Sequence, residues 1–234
     1  MDKIKCLEYG EGDTILFLHG WGQNKEMMKP IVEELKYNYK CIIIDMPGFG
    51  ESNFNNEKNL NEYTQTIYGF LERKDLRPKY IIGHSFGGKV ALNYYFNYQG
   101  VEKIIFIGSP LLKPKRTIKY YFKIYTYKLK KILKKNIVNL GSKDYLDCKS
   151  EMKHFFINIV NTHFNKQIKQ IKIPVLLIWG KKDDKVPLSK AKKLKKRIKK
   201  SELIIENGGH FAYLENIQYT RLIIQKFLRR KDCD

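Results

Sequence analysis

The chain has 234 residues, 43% of them hydrophobic, which is enough for one sizeable core with a small inserted lobe. No run approaches the length of a membrane span, the start Met1-Asp2-Lys3-Ile4-Lys5-Cys6 has no apolar signal core, and Cys6, Cys41, Cys148 and Cys233 form no C-x-x-C pair, so the expectation is a reduced, cytoplasmic protein with unpaired thiols. The net charge of +21 brings nucleic acid and anionic surfaces into view, but lysine is spread almost everywhere and no nucleic-acid module appears, so nucleic-acid binding is not expected.

In chain order, Ile4 to Tyr9 alternates like an edge strand and Gly10-Glu11-Gly12-Asp13 is a turn. Thr14 to Leu18 is a continuous apolar run, as a strand buried on both faces requires, and it ends at His19-Gly20-Trp21-Gly22. Asn24 is a candidate cap for a helix from Lys25 to about Tyr37. Lys40 to Asp45 is a second apolar strand, closed by Met46-Pro47-Gly48-Phe49-Gly50-Glu51-Ser52, and Asn59 to Arg73 has the period of an amphipathic helix.

Tyr80-Ile81-Ile82 leads into Gly83-His84-Ser85-Phe86-Gly87-Gly88 and a helix over Lys89 to Asn97. A serine between strand and helix, flanked by glycines that let the turn close, is held with its hydroxyl above the sheet edge. Phe86 begins the helix, so its N–H is unpaired and points where an oxyanion would form. Glu102 to Ile107 is another strand, ending at Gly108-Ser109-Pro110. Strand-helix alternation of this kind predicts a mostly parallel sheet with right-handed crossovers, and His19, Pro47, Ser85 and Ser109 should share the crevice at its carboxyl edge.

From Leu111 to about Ile171 the alternation stops. Residues 116–135 read as a helix with Ile118, Phe122, Tyr125, Leu129 and Ile132 on one face, and between Lys113 and Lys135 there are ten basic residues and no acidic one. A second helix is expected from Ser150 to Asn161. Residues 111–171 are therefore read as a helical lid on a core formed by 1–110 and 172–234; the basic, amphipathic character also leaves peripheral contact with an anionic membrane open. Tyr121, Tyr125 and Phe155, with their aromatic neighbours, are the candidate substrate contacts or, equally, the contacts that hold the lid down. After Ile173-Pro174 come a strand at Val175 to Trp179, a strongly basic helix at Leu188 to Lys200, a short strand at Glu202 to Ile205 and a last helix from about Leu214 to Arg230.

A serine hydroxyl needs a base to become a nucleophile, and an imidazole needs a carboxylate to fix its tautomer and stabilise its charge. Asp183 and His210 each follow a strand in the second half of the chain and should reach the crevice of Ser85. Asp184 is the alternative acid; the spacing to Val186-Pro187 favours Asp183. His84 is read as packing of the elbow, His19 as an organiser of its loop, and His154 and His163 as candidates only for substrate contact. No histidine and carboxylate cluster has metal-ligand spacing, and no glycine-rich phosphate loop appears.

With these motifs in hand the chain resembles the α/β-hydrolase superfamily, of the small lidded kind that includes carboxylesterases and lactonases. His19-Gly20-Trp21-Gly22 is similar to the family's oxyanion loop, Gly83 to Gly87 to its nucleophile elbow, Trp179-Gly180 with Asp183 and Val186-Pro187 to its acid loop, and Gly209-His210 to its histidine loop. The resemblance implies a mostly parallel sheet flanked by helices, with a helical lid inserted after the sixth strand. It implies Trp21 N–H as the second oxyanion donor beside that of Phe86. The implied activity is hydrolysis of a small-molecule carboxylic ester, thioester or lactone through an acyl-serine, with no cofactor and no metal. A non-hydrolytic or carbon–carbon bond-cleaving enzyme on the same fold, or a lipid-surface binder, is the alternative. Relatives that work as haloalkane dehalogenases or epoxide hydrolases carry an aspartate where this chain has Ser85. The oligomeric state is not legible in the sequence.

Overall fold

A computed structural model describes residues 4–114 and 142–230. The expected helix over 116–135, with Tyr121 and Tyr125, lies outside the described residues, as does Cys233. Seven strands form one sheet: β1 (Cys6–Tyr9), β2 (Thr14–Leu18), β3 (Lys40–Ile44), β4 (Tyr80–His84), β5 (Lys103–Ile107), β6 (Val175–Gly180) and β7 (Ser201–Glu206). Their spatial order is β1-β3-β2-β4-β5-β6-β7; β1 is antiparallel to β3 and every other pair is parallel. The apolar runs of β2, β4, β5 and β6 are central strands buried on both faces, which is why they carry no polar alternation.

The helices are α1 (Lys29–Leu35), α2 (Leu60–Arg73), α3 (Phe86–Asn97), α4 (Lys143–Leu146), α5 (Lys153–Asn161), α6 (Leu188–Arg197), α7 (Ala212–Glu215) and α8 (Ile217–Arg229). On one face of the sheet, residues of α2, α3 and α6 pack with Leu16, Leu18, Ile81, Ile104 and Leu177. On the other, Ile31, Val32 and Leu35 of α1 and Ile224, Phe227 and Leu228 of α8 pack against Phe17, Ile43, Ile82 and Ile105. Basic α6 buries only Ala191 and Leu194, so its lysines form an outer face.

Several expected boundaries move. The stretch from Lys25 divides into a 3₁₀ turn at Lys25–Met28, capped by Asn24 Oδ1 accepting from Glu26 N at 3.1 Å, and α1 with Pro30 in its first turn. The last helix is broken at Asn216, whose Nδ2 donates to Asn207 O at 2.6 Å and Ala212 O at 2.9 Å. The inserted segment leaves the sheet after the fifth strand, not a sixth, because the antiparallel edge is a single strand among the described residues: β1 pairs directly with β3, and the next strand in sequence is already β2.

Within that segment, a 3₁₀ turn at Ser150–Met152 buries Met152 and precedes α5, whose inner stripe buries Phe155 and Ile159. Fully burying an aliphatic or aromatic side chain of this size contributes about 1.5–3 kcal/mol. The segment is also fixed by a buried cation. Lys89 Nζ, rooted on α3, donates to Ile159 O at 2.6 Å, which also accepts from Thr162 N at 3.1 Å, and to Thr162 O at 2.9 Å, both carbonyls at the C-terminal end of α5. Lys103 on β5 makes the same use of a lysine, with Nζ donating to Leu228 O at 3.0 Å and Phe227 O at 3.4 Å at the end of α8.

Candidate active site

Ser85 joins β4 directly to α3 with φ 49° and ψ −113°, a left-handed conformation that costs a side-chain-bearing residue about 1–3 kcal/mol. Its N–H is anchored on Ile107 O at 2.8 Å. The tight elbow depends on glycine at 87: a Cβ there would lie 2.2 Å from Leu18 O, so α3 can approach β2 this closely only without one. The helix starts at Phe86, with Gly87 and Gly88 inside it, three residues before the run from Lys89 read from the sequence.

Asp183 and His210 come together at the carboxyl edge. His210 Nδ1 lies 2.9 Å from Asp183 Oδ2, and the Asp183 side chain is almost wholly buried. Asp183 Oδ1 accepts from Lys185 N at 2.9 Å and Val186 N at 2.8 Å, and Trp179 Nε1 donates to Val186 O at 2.7 Å. Two backbone N–H groups of the loop after β6, Lys185 and Val186, therefore hold Asp183 Oδ1 and leave Oδ2 to face the imidazole. Asp184, the alternative acid, is exposed. The pair sits beside the elbow: His210 O is 3.2 Å from His84 Nε2, the two histidine rings are 4.8 Å apart, and a Cβ on Gly108 would lie 3.2 Å from the His210 ring and 3.3 Å from Asp183 Oδ2. Gly108, with φ 53°, directly follows the strand residue that holds Ser85 N. Its role as the floor under the pair was not read from the sequence; glycine at a strand end just before Ser109-Pro110 was the available signal.

Two other histidines are internal. His19 donates from Nδ1 to Gly20 O at 2.7 Å, and its Nε2 accepts from Met46 N at 3.0 Å, so it ties the ends of β2 and β3 together. Burial lowers its pKa to about 4, which keeps the ring neutral and able to accept. His84 is wholly buried, and burial, reinforced by nearby His210, lowers its pKa to about 3. Asp45 braces the same loops: Oδ1 accepts from Lys25 N at 2.7 Å, and Oδ2 from Lys25 Nζ at 2.7 Å and Glu51 N at 3.0 Å. Ser109 does not face the crevice as expected; it is buried beneath α3 with Oγ donating to Gly83 O at 3.2 Å.

Trp21 stands over the elbow in an aromatic cluster, with ring centroids 4.9 Å from Phe49, 5.4 Å from Phe86 and 6.2 Å from Phe155. Phe155, expected as a substrate contact, is 1% exposed and stacks on Tyr63 at 4.6 Å. A cleft of about 330 Å³ opens beside it, bounded by Trp21 and Gly22, by Gly48 and Phe49 after β3, and by Asp147, Cys148 and Met152 of the inserted segment. Ser85, His210 and Phe155 do not line it. His154 is exposed on the outer side of α5. Among the described residues no group of three or more His, Cys, Asp or Glu could hold a metal ion, and no helix is long and apolar enough to cross a membrane.

The fold agrees with comparisons to known proteins. A family model described as the alpha/beta hydrolase fold matches residues 13–143 and 150–217. The AB hydrolase superfamily protein YisY of Bacillus subtilis is 27% identical over 94% of this chain and 93% of its own length. Lipase 1 of Psychrobacter immobilis is 26% identical over 94% of this chain and 78% of its own length. The structure of an esterase from Exiguobacterium antarcticum superposes with a TM-score of 0.77 at 20% identity, covering 97% of this chain and 96% of that one. The family match extends over most of the chain, from residue 13 just before β2 to residue 217 at the start of α8, and the chain belongs to the alpha/beta hydrolase fold family.

Proposed function

We propose that the chain is a serine hydrolase that cleaves a small carboxylic ester, thioester or lactone, with Ser85 as nucleophile, His210 as base and Asp183 as its orienting carboxylate. The observation that carries this reading is the 2.9 Å contact of His210 Nδ1 with a buried Asp183 oxygen beside the serine elbow. Asp183 holds the proton on Nδ1, which leaves the Nε2 lone pair as the base. His210 takes the Ser85 hydroxyl proton as Oγ bonds to the substrate carbonyl carbon. The tetrahedral oxyanion is received by the N–H groups of Phe86 and Trp21, each worth about 3 kcal/mol in comparable sites. Collapse breaks the bond to the alcohol or thiol, which leaves with the proton held by His210. Water then repeats the sequence on the acyl-serine and returns the enzyme.

Phe86 is the first residue of α3, so its N–H has no partner within the helix, and Trp21 belongs to a loop fixed by His19 and Asp45. The names of Lipase 1 and the Exiguobacterium esterase support ester chemistry for this chain too. Residues 111–171 act as a lid in this reading, and Phe155 closes the apolar end of the acyl site from behind Trp21. The test is intact-mass spectrometry after a fluorophosphonate probe, with p-nitrophenyl esters from acetate to decanoate. One adduct on Ser85, ester turnover, and loss of both in Ser85→Ala are expected; turnover that survives in Ser85→Ala would refute the mechanism. Labelling without ester turnover would point to carbon–carbon bond cleavage instead.

A further inference from the structure

His84 directly precedes the nucleophile, and the scheme above gives it no part. Its ring is wholly buried, and an oxygen faces each of its nitrogens. His210 O lies 3.2 Å from Nε2 and Gln23 Oε1 lies 3.2 Å from Nδ1. A neutral imidazole carries one N–H and can serve only one of them. Gln23 Oε1 already accepts from Gly20 N at 2.9 Å, within the loop that carries Trp21. Turning the Gln23 amide over would bring a donor to Nδ1 but would leave Gly20 N–H facing an NH₂ group. The His210 carbonyl, by contrast, has no other hydrogen-bond donor among the described residues. The economical arrangement puts the proton on Nε2.

We propose that His84 is a positioning residue of the hydrolase reaction: its Nε2–H holds the main-chain carbonyl of His210 and thereby fixes the base relative to Ser85, the next residue in the chain. The inference rests on the serine-hydrolase reading. The ring is suited to the task because it stays neutral. Burial opposes a second proton, and the titratable groups that face it are His210 and Asp183 from the loops after β7 and β6, His19 at the end of β2, and Tyr213 of α7, whose ring is 4.9 Å away. A proton moved to Nδ1 would release the base loop; with the proton on Nε2, the Nδ1 lone pair faces Gln23 Oε1, which is already held by Gly20 N–H. The elbow residue and the base loop are thus joined twice, once through the chemistry at Ser85 Oγ and once through the backbone of the base.

Two variants separate positioning from packing. His84→Phe keeps a ring of similar size and removes the donor; His84→Gln offers an amide N–H near the place of Nε2. In the wild type, fluorophosphonate labelling of Ser85 and turnover of p-nitrophenyl acetate are measured first, and their absence would overturn the hydrolase reading and this inference with it. With labelling present, His84→Phe is expected to lose about tenfold to a hundredfold in kcat with KM changed less than about twofold, the scale of a misplaced catalytic group. The acid limb of its kcat/KM profile, which reports the base of the free enzyme, is expected to move, and His84→Gln is expected to recover most of the loss. A folded His84→Phe with wild-type kcat and pH profile, or a His84→Gln as slow as His84→Phe, overturns the positioning role while leaving the hydrolase intact. If His84→Phe does not fold, the ring nitrogen shifts of His84 in the labelled wild-type protein decide: an Nε2–H tautomer is expected, and an Nδ1–H tautomer or an imidazolium overturns the inference.

Discussion

Replacing Lys89 by methionine should change stability by an amount that depends on pH, and the sign of that dependence is fixed by the structure. Lys89 is 3% exposed, and burial alone lowers its pKa from 10.5 to about 8. A shift of that size corresponds to roughly 3 kcal/mol of cost for keeping the ammonium charged in the folded state. Its two hydrogen bonds oppose that cost: without Lys89 the Thr162 carbonyl would lose its donor, worth about 1–3 kcal/mol, while Ile159 O would keep the Thr162 N–H. At pH 7 the two effects nearly offset, and Lys89→Met should be close to wild type in stability or modestly below it.

As pH rises past 8 the folded protein loses the Lys89 proton while the unfolded chain keeps it until about 10.5, so the unfolded state binds more protons and stability rises. The neutral amine still has two N–H groups for Ile159 O and Thr162 O. Wild type should therefore gain about 2–3 kcal/mol on Lys89→Met between pH 7 and pH 10, read as the difference in urea unfolding free energy at each pH. Tyrosines that titrate in the same range are common to both proteins and cancel in the difference. A gap that stays constant, or narrows with pH, would refute a buried, charge-penalised Lys89 and with it the account of how α5 is held on α3.

Two further outcomes concern the chemistry and the elbow. Asp183→Asn should lower kcat by about 10³–10⁴ with little change in KM, because an amide that donates to His210 favours the wrong tautomer; steady-state kinetics on p-nitrophenyl acetate measure this, and a loss below tenfold would move the acid to another residue. Ser85→Gly should be inactive yet melt above Ser85→Ala by the equivalent of about 1 kcal/mol, since only glycine is unstrained at φ 49°, and equal melting temperatures would mean that the elbow stores no strain.

The parts of the molecule that were legible in the sequence are those whose cause is local along the chain. Continuous apolar runs at Thr14–Leu18, Tyr80–His84 and Val175–Gly180 announce strands covered on both faces. The spacing of Asp183 to Val186 corresponds to a local contact, since Val186 N–H donates to Asp183 Oδ1 at 2.8 Å within one turn. Gly87 and Gly88 are poor helix formers, yet they lie inside α3, where packing against Leu18 O and Ser109 overrides propensity.

What stayed hidden depends on distant partners. Lys89 and Lys103 look like two more members of a solvated, +21 surface, yet both are buried, and each ends on carbonyls at the close of a helix more than sixty residues away in sequence. A lysine in an amphipathic helix or an apolar strand gives no sign of such use, since the acceptors are backbone atoms that any sequence would provide. The same holds for His84. Its neighbour Ser85 identifies the elbow, but the oxygen it faces belongs to the backbone of residue 210, and a main-chain carbonyl leaves no mark in the sequence. Side chains that act on other side chains can be found by residue type and spacing. Side chains that act on distant backbone cannot, and in this chain they meet both the inserted segment and the loop of His210.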